Sequence, residues 1–222
     1  MAIAFGILVF PGVQQLDLAC PYEVFASLPG AAVHLVWKDR RPVASSTGLI
    51  LRPTARFDAC PPLDVLCVPG GAGVNPLLED GVVLDFLRSR APSARFVTSV
   101  CTGALVLGAA GLLNGRHATT HWLAHDFLAA FGAIPVQARV VRDGNLITAG
   151  GVTAGLDFGL TVVAELAGRE AAEAIQLNLE YAPKPPFTAG SPETASPQVV
   201  VAVRTRLAAS RQAREAIISR LG

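Results

Sequence analysis

The chain has little charge and no bias of sign. Asp, Glu, Lys and Arg make up 16% of its 222 residues, with 18 basic side chains against 17 acidic and a formal charge of +1. No basic cluster is present, so the electrostatic footprint that nucleic-acid or anionic-membrane binding requires is missing, and a small, nearly neutral ligand fits better. A membrane span is missing too. Despite a mean hydropathy of +0.46, no apolar run reaches about 20 residues without a charge, Pro or Gly. The opening ten residues, Met1 to Phe10, lack a basic n-region and run into Pro11-Gly12, so they read as a buried strand and carry no export signal. Cysteines are few for the length: Cys20, Cys60, Cys67 and Cys101. Without export they read as reduced thiols of a cytoplasmic protein, not as a disulfide framework.

What is abundant is aliphatic side chain. Hydrophobic residues form 51% of the chain, which excludes disorder for most of it and suits one compact domain over 1–222. Short runs rich in Val, Ile and Leu predict strands at Ile3–Phe10, Val33–Trp37, Val65–Val68, Phe96–Val100 and Asn145–Ala149. Amphipathic or Ala/Leu-rich stretches predict helices at Leu16–Leu28, Val82–Arg90, Gly103–Ala110, Trp122–Phe131 and Ala154–Ala167. This alternation predicts an α/β fold, a mostly parallel sheet with helices on both faces. Val43–Leu51 reads as a hairpin, and Arg142-Asp143-Gly144-Asn145 as a turn between two strands. From Ala182 to Pro197 five prolines and Gly190 predict a loop wrapping the surface. Beyond it Val200, Val203, Leu207, Ile217 and Leu221 recur at helical spacing, interleaved with Arg204, Arg206, Arg211, Arg214 and Arg220. This segment, within 183–222, reads as an amphipathic terminal helix with a solvated arginine face, packed on the domain or on a second subunit.

One thiol stands apart. In Phe96-Val97-Thr98-Ser99-Val100-Cys101-Thr102-Gly103 a strand runs directly into a helix with Cys at the turn, and Ser99 and Gly103 flank it at two residues' distance. That is the nucleophile-elbow pattern with sulfur in place of oxygen. The helix N-terminus is expected to lower the thiol's pKa. Cys20, Cys60 and Cys67, one within a strand and two at Pro-flanked turns, read as core thiols. The loop Pro69-Gly70-Gly71-Ala72-Gly73 lacks a clean G-x-G-x-x-G. It reads either as a turn that is glycine-rich for steric reasons or as an anion nest, with the Gly71 and Thr102 N–H groups forming an oxyanion-type hole.

Asp17, in Gln14-Gln15-Leu16-Asp17-Leu18, has two readings. It is a helix N-cap, or a carboxyl kept protonated by apolar surroundings beside a thiolate and able to shuttle a proton. Glu23 competes for the second role from a later turn. His117, Thr119, Thr120, His121 and His125 form the remaining polar cluster. His121 and His125 have the i, i+4 spacing of zinc ligands, but the intervening Trp-Leu-Ala and the lack of a third ligand argue against a metal. His121 remains open as a partner of the thiol or as a cap.

Together, Ser99-Val100-Cys101-Thr102-Gly103, Pro69-Gly70-Gly71, Ala118-Thr119-Thr120-His121-Trp122 and Gly150-Gly151-Val152-Thr153-Ala154-Gly155 resemble the ThiJ/PfpI superfamily. Within it, Phe10-Pro11-x-Val13-Gln14-Gln15-Leu16-Asp17, Thr98–Gly103 and Leu179-Glu180-Tyr181-Ala182-Pro183 make the chain most similar to the isocyanide hydratases. The resemblance implies a flavodoxin-like fold and a homodimeric enzyme, without a cofactor or metal, that adds water to an isocyanide to give an N-substituted formamide. It implies Cys101 as nucleophile, Asp17 as acidic partner, and Thr102 as a contributor beside the nucleophile; His121 matches a histidine common in the superfamily. Glyoxalase or deglycase activity on α-oxoaldehydes, which uses the same elbow with a Glu at the acidic position, is the competing enzyme reading. A thiol redox sensor and the sensory domain of an AraC-type regulator are the non-enzymatic ones, the latter continuing into two helix-turn-helix units for which only 25 residues follow Pro197.

Overall fold

The computed structural model describes residues 3–221, so the ends of the span 1–222 lie outside it. Seven strands form one sheet: β1 (Ala4–Leu8), β2 (Ala32–Trp37), β3 (Ala55–Arg56), β4 (Val65–Val68), β5 (Phe96–Val100), β6 (Val140–Asp143) and β7 (Leu146–Ala149). Their spatial order is β6-β7-β5-β4-β1-β2-β3, all parallel except β6, which pairs antiparallel with β7 across the Asp143–Leu146 turn. Strands β4, β5 and β7 are buried along their whole length, as continuous aliphatic runs under two helical layers must be. The expected hairpin closes by pairing of Val43–Ala44 with Ile50–Leu51.

On one face lie α1 (Gln15–Ala26), α5 (Ala154–Ala167) and α6 (Arg169–Asn178), packed against one another in that order. Helices α1 and α5 approach closely because a Cβ on Gly159 would collide with Val24. The other face carries α2 (Val74–Leu77), α3 (Gly81–Arg90), α4 (Gly103–Ala109), a 3₁₀ helix at Trp122–Phe131 and the long α7 (Pro197–Leu221).

Three details depart from expectation. Trp122–Phe131 is a 3₁₀ helix, tightened at its start by the Ala124 N–H bonding the His121 carbonyl three residues back. Helix α6, between Gly168 and Leu179, is absent from the pattern-based reading. On α7 the residues buried are Arg214 and Ile218, while Leu221 is exposed, so the arginines are not uniformly solvated. The chain runs outward from β1 through β2 to β3, then returns to β4 on the opposite side of β1. This reversal makes the carboxyl ends of β1, β4 and β5 the natural place for a site.

Candidate active site

The loops leaving those three strand ends are tied together by backbone hydrogen bonds. The Gln14 N–H donates to the Gly70 carbonyl at 2.8 Å, and Val13 and Gly71 form an isolated antiparallel bridge. Asp17 is thereby brought to the Gly70–Gly71 turn in the first turn of α1. Its helix is capped at Gln14 with no side-chain bond. Its carboxylate instead reaches across the fold, where Oδ2 accepts the Gly70 N–H at 3.0 Å. The N-cap reading of Asp17 is therefore replaced by one that points it at the elbow. Glu23 is exposed and plays no part. A Cβ on Gly70 would collide with both Thr102 and Asp17; glycine here lets the carboxyl and the nucleophile's neighbour meet.

Cys101 follows β5 with φ 55°, the left-handed conformation that a strand-to-helix elbow imposes and that strains a non-glycine residue. Three contacts hold it there. Its N–H is shared between the Ala149 and Gly150 carbonyls, 3.0 Å from each, and its own carbonyl accepts the Thr120 hydroxyl at 2.7 Å. Gly103 lets α4 start against β4, because a Cβ there would overlap the Val68 carbonyl. Around the sulfur, the Asp17 carboxyl pushes the thiol's pKa up, and the Thr102 and Val152 N–H groups pull it down.

Asp17 is fully buried, and its Oδ1 has no hydrogen-bond partner of good geometry. Burial pushes its carboxyl up to about 7, partly offset by hydrogen bonds from Cys101 and Gly70. Burial also drives the Cys101 thiol upward, reinforced by the Asp17 charge, against the pull of the Thr102 and Val152 N–H groups. The expected lowering by a helix N-terminus is thus outweighed by desolvation. The two groups titrate as one buried pair: above about pH 7 they hold one proton and one negative charge between them.

The oxyanion-hole expectation is modified as well. The Gly71 N–H donates to Thr102 Oγ1 at 3.1 Å and so is engaged within the protein, while the Thr102 N–H acts to lower the thiol's pKa. The other backbone N–H that lowers the thiol's pKa is that of Val152, a residue of the Gly150–Gly155 segment for which the sequence suggests no role. Its only sequence signal is its place after Gly150-Gly151, where the chain leaves β7 for α5.

His121 caps the 3₁₀ helix: its Nδ1 accepts the Leu123 N–H at 3.2 Å, which places the ring proton on Nε2. Burial, with the Arg214 charge, pushes its pKa down to about 4, so it is neutral at physiological pH. Of the polar cluster around it, Thr120 supports the elbow, the exposed His117 contacts Asp143, and His125 lines a separate wall.

The Cys101 side chain opens into a cavity of about 240 Å³ walled by Thr102, His121, Leu123, Val152, Leu207 and Arg214; Asp17 is not among its walls. A neighbouring cavity of about 770 Å³, lined by His125, Arg139 and Glu193, shares His121 and Val152 but not the thiol. Of the two, the smaller is the one that Cys101 lines.

The DJ-1/PfpI family model matches residues 5–165. The chain belongs to the DJ-1/PfpI family. An isonitrile hydratase of Pseudomonas putida is 63% identical to this DJ-1/PfpI chain over 220 residues, covering 99% of this chain and 96% of that one. A THiJ/PfpI family protein of known crystal structure from Pseudomonas syringae superposes with TM-score 0.95 at 48% identity, covering 98% of this chain and 91% of that one. The HTH-type transcriptional regulator GbdR of Pseudomonas aeruginosa is 35% identical over 78% of this DJ-1/PfpI chain and 49% of its own length.

Proposed function

We propose that this DJ-1/PfpI protein is an isocyanide hydratase, converting R–N≡C and water to the formamide R–NH–CHO, with Cys101 as nucleophile, Asp17 as proton carrier and Thr102 as a donor to the sulfur. The observation that carries the reading is the 63% identity, essentially end to end, to the Pseudomonas putida isonitrile hydratase. The buried Asp17–Cys101 pair supplies the chemistry. In the tautomer with a thiolate and a neutral carboxyl, sulfur bonds to the isocyanide carbon while the Asp17 proton passes to that same carbon. The product is a thioimidate, R–N=CH–S–Cys101, beside an Asp17 carboxylate. The carboxylate then takes a proton from water as the water oxygen bonds to the carbon. The second water proton ends on nitrogen, the C–S bond breaks, and thiolate and neutral carboxyl are restored. All atoms balance with no cofactor or metal.

The Thr102 and Val152 N–H groups stabilise the sulfur's charge at each end of this cycle. Gly71 supports it at one remove, by fixing the Thr102 hydroxyl. His121, neutral and capping, serves as a cavity wall. An uncharged substrate also agrees with a chain of net charge +1 that has no basic funnel.

In this reading the protein works as a homodimer, supported by the exposed Leu177 on α6, Phe187 in the 182–196 loop and Val201 on α7 (81%, 78% and 61% accessible). Residues 183–222 form the wrapping loop and terminal helix of a single domain. Four free cysteines suit a reducing cytoplasm. No helix of the described residues is long and apolar enough to cross a membrane. The test is a turnover assay on aliphatic and aromatic isocyanides beside methylglyoxal. Formamide from the isocyanides with no lactate from methylglyoxal is the expected result; the reverse pattern would replace hydration with α-oxoaldehyde chemistry.

A further inference from the structure

The arginines of α7 find different partners. Arg211 forms a two-pronged ion pair with Asp126, Arg220 does the same with Glu79, and Arg204 lies over the Trp122 ring. Arg214 alone among these is buried, 6% accessible. Its Nε donates to Asn75 Oδ1 at 2.9 Å, and among the described residues no carboxylate forms an ion pair with it. Asn75 is itself fixed from the other side, its Nδ2 donating to the Ser210 carbonyl at 3.0 Å. A neutral amide orients the guanidinium but cannot balance its charge, and a buried cation without a counter-charge is strongly disfavoured. The guanidinium lines the same cavity as Cys101 and Thr102.

We infer that Arg214 is the counter-ion of the single negative charge shared by Asp17 and Cys101, a positioning residue through which α7 sets the thiolate population at the elbow. With one proton on the pair, the three buried groups sum to zero. Burial pulls the guanidinium pKa down, the Cys101 charge holds it up, and the neighbouring Arg211 charge lowers it further. The other titratable groups around the pair do not compensate. Asp17, on α1, is part of it, and His121 is neutral. Cys67 on β4 and Cys20 on α1 are thiols pushed upward. Arg211, one turn earlier on α7, lines the same cavity but has its charge balanced by Asp126. Loss of Arg214 therefore leaves a buried anion with hydrogen bonds but no opposite charge, and the thiol retains its proton to higher pH.

The inference deepens the hydratase reading, since it concerns that reading's nucleophile, but its test needs no isocyanide. The rate of alkylation of Cys101 by iodoacetamide, a neutral reagent, is followed by peptide mass from pH 5 to 10. The wild type is compared with Arg214→Gln, which keeps a polar contact and removes the charge, Arg214→Met as a second neutral variant, and Arg214→Lys, which keeps the charge. Melting temperatures report folding. The expected result is an alkylation midpoint raised by roughly one pH unit or more in the neutral variants, about tenfold slower reaction at pH 7, and a profile close to wild type for Lys. A folded neutral variant with an unmoved midpoint would overturn the inference. So would a Lys variant as slow as Gln, because that marks the Asn75 contact, not the charge, as what matters. If wild-type protein hydrated no isocyanide, the alkylation profile would still decide this point on its own.

Discussion

Cys67 and Cys101 sit at adjacent strands of one sheet, both buried, both under the influence of Asp17, and they differ in almost every respect that matters for reactivity. Cys67 lies within β4, flanked in register by Ile7 and Thr98. Burial pushes its thiol up to about 12, with a Thr98 hydrogen bond as the counterweight. Cys101 stands one residue past the end of β5 in a left-handed turn. There the Asp17 carboxyl raises the thiol's pKa, two backbone N–H groups lower it, and a cavity with a cation in its wall opens beside it. Burial alone makes a thiol inert. In the proposed mechanism reactivity comes from a partner that exchanges the proton without adding charge, and from fixed donors at a strand end.

The largest expected difference between the two is in turnover. Cys101→Ala should lower isocyanide hydration by about 10⁴-fold or more, whereas Cys67→Ala should leave kcat/KM within about threefold, its effect being a core cavity; comparable losses in both would erase the distinction. Next is the proton carrier. Asp17→Asn should lower kcat by roughly 10²–10⁴-fold while stabilising the fold. A carboxyl raised from 3.8 to about 7 binds its proton more tightly when folded. Its favourable contribution is complete below about pH 3.8 and lost as pH rises to 7. Asparagine has no such loss, so denaturant unfolding at pH 8 should show the variant gaining up to about 4 kcal/mol relative to pH 4.

The wild-type pH–rate profile is smaller in span. The competent form holds one proton on the pair, so kcat/KM should fall about tenfold per unit below pH 7, reaching about 100-fold at pH 5, and level off above it. A flat profile from 5 to 9 would mean that the pair is not the titrating unit. The smallest effect is expected for Cys67→Ser, an unchanged rate with roughly 1–2 kcal/mol lost from stability by burial of a hydroxyl in an apolar strand, read from urea unfolding.

Much of this architecture could be read from residues alone, because parallel strands buried on both faces leave unbroken aliphatic runs and the elbow has a small-residue signature. The same reading singles out Cys101 and Asp17, and the fold places both beside the Gly70–Thr102 contact. Helix α6 could not be read this way: its charged, weakly apolar sequence buries only Ala172 and Ile175. Val152 acts through its backbone N–H, which any residue carries, and only its neighbours Gly150-Gly151 hint at it. Arg214 eluded the helical pattern because periodicity places five arginines on α7 without saying which one turns inward. That choice depends on Asn75, some 140 residues earlier in the chain, presenting an acceptor at the right place.

The most direct test of the central claim is mass spectrometry of the enzyme quenched in acid during turnover with a saturating isocyanide. The expected result is a species heavier than the free enzyme by one isocyanide, located on the Cys101 peptide and missing in Cys101→Ala. Active enzyme carrying no such adduct, together with Cys101→Ala still producing formamide at the wild-type rate, would contradict it.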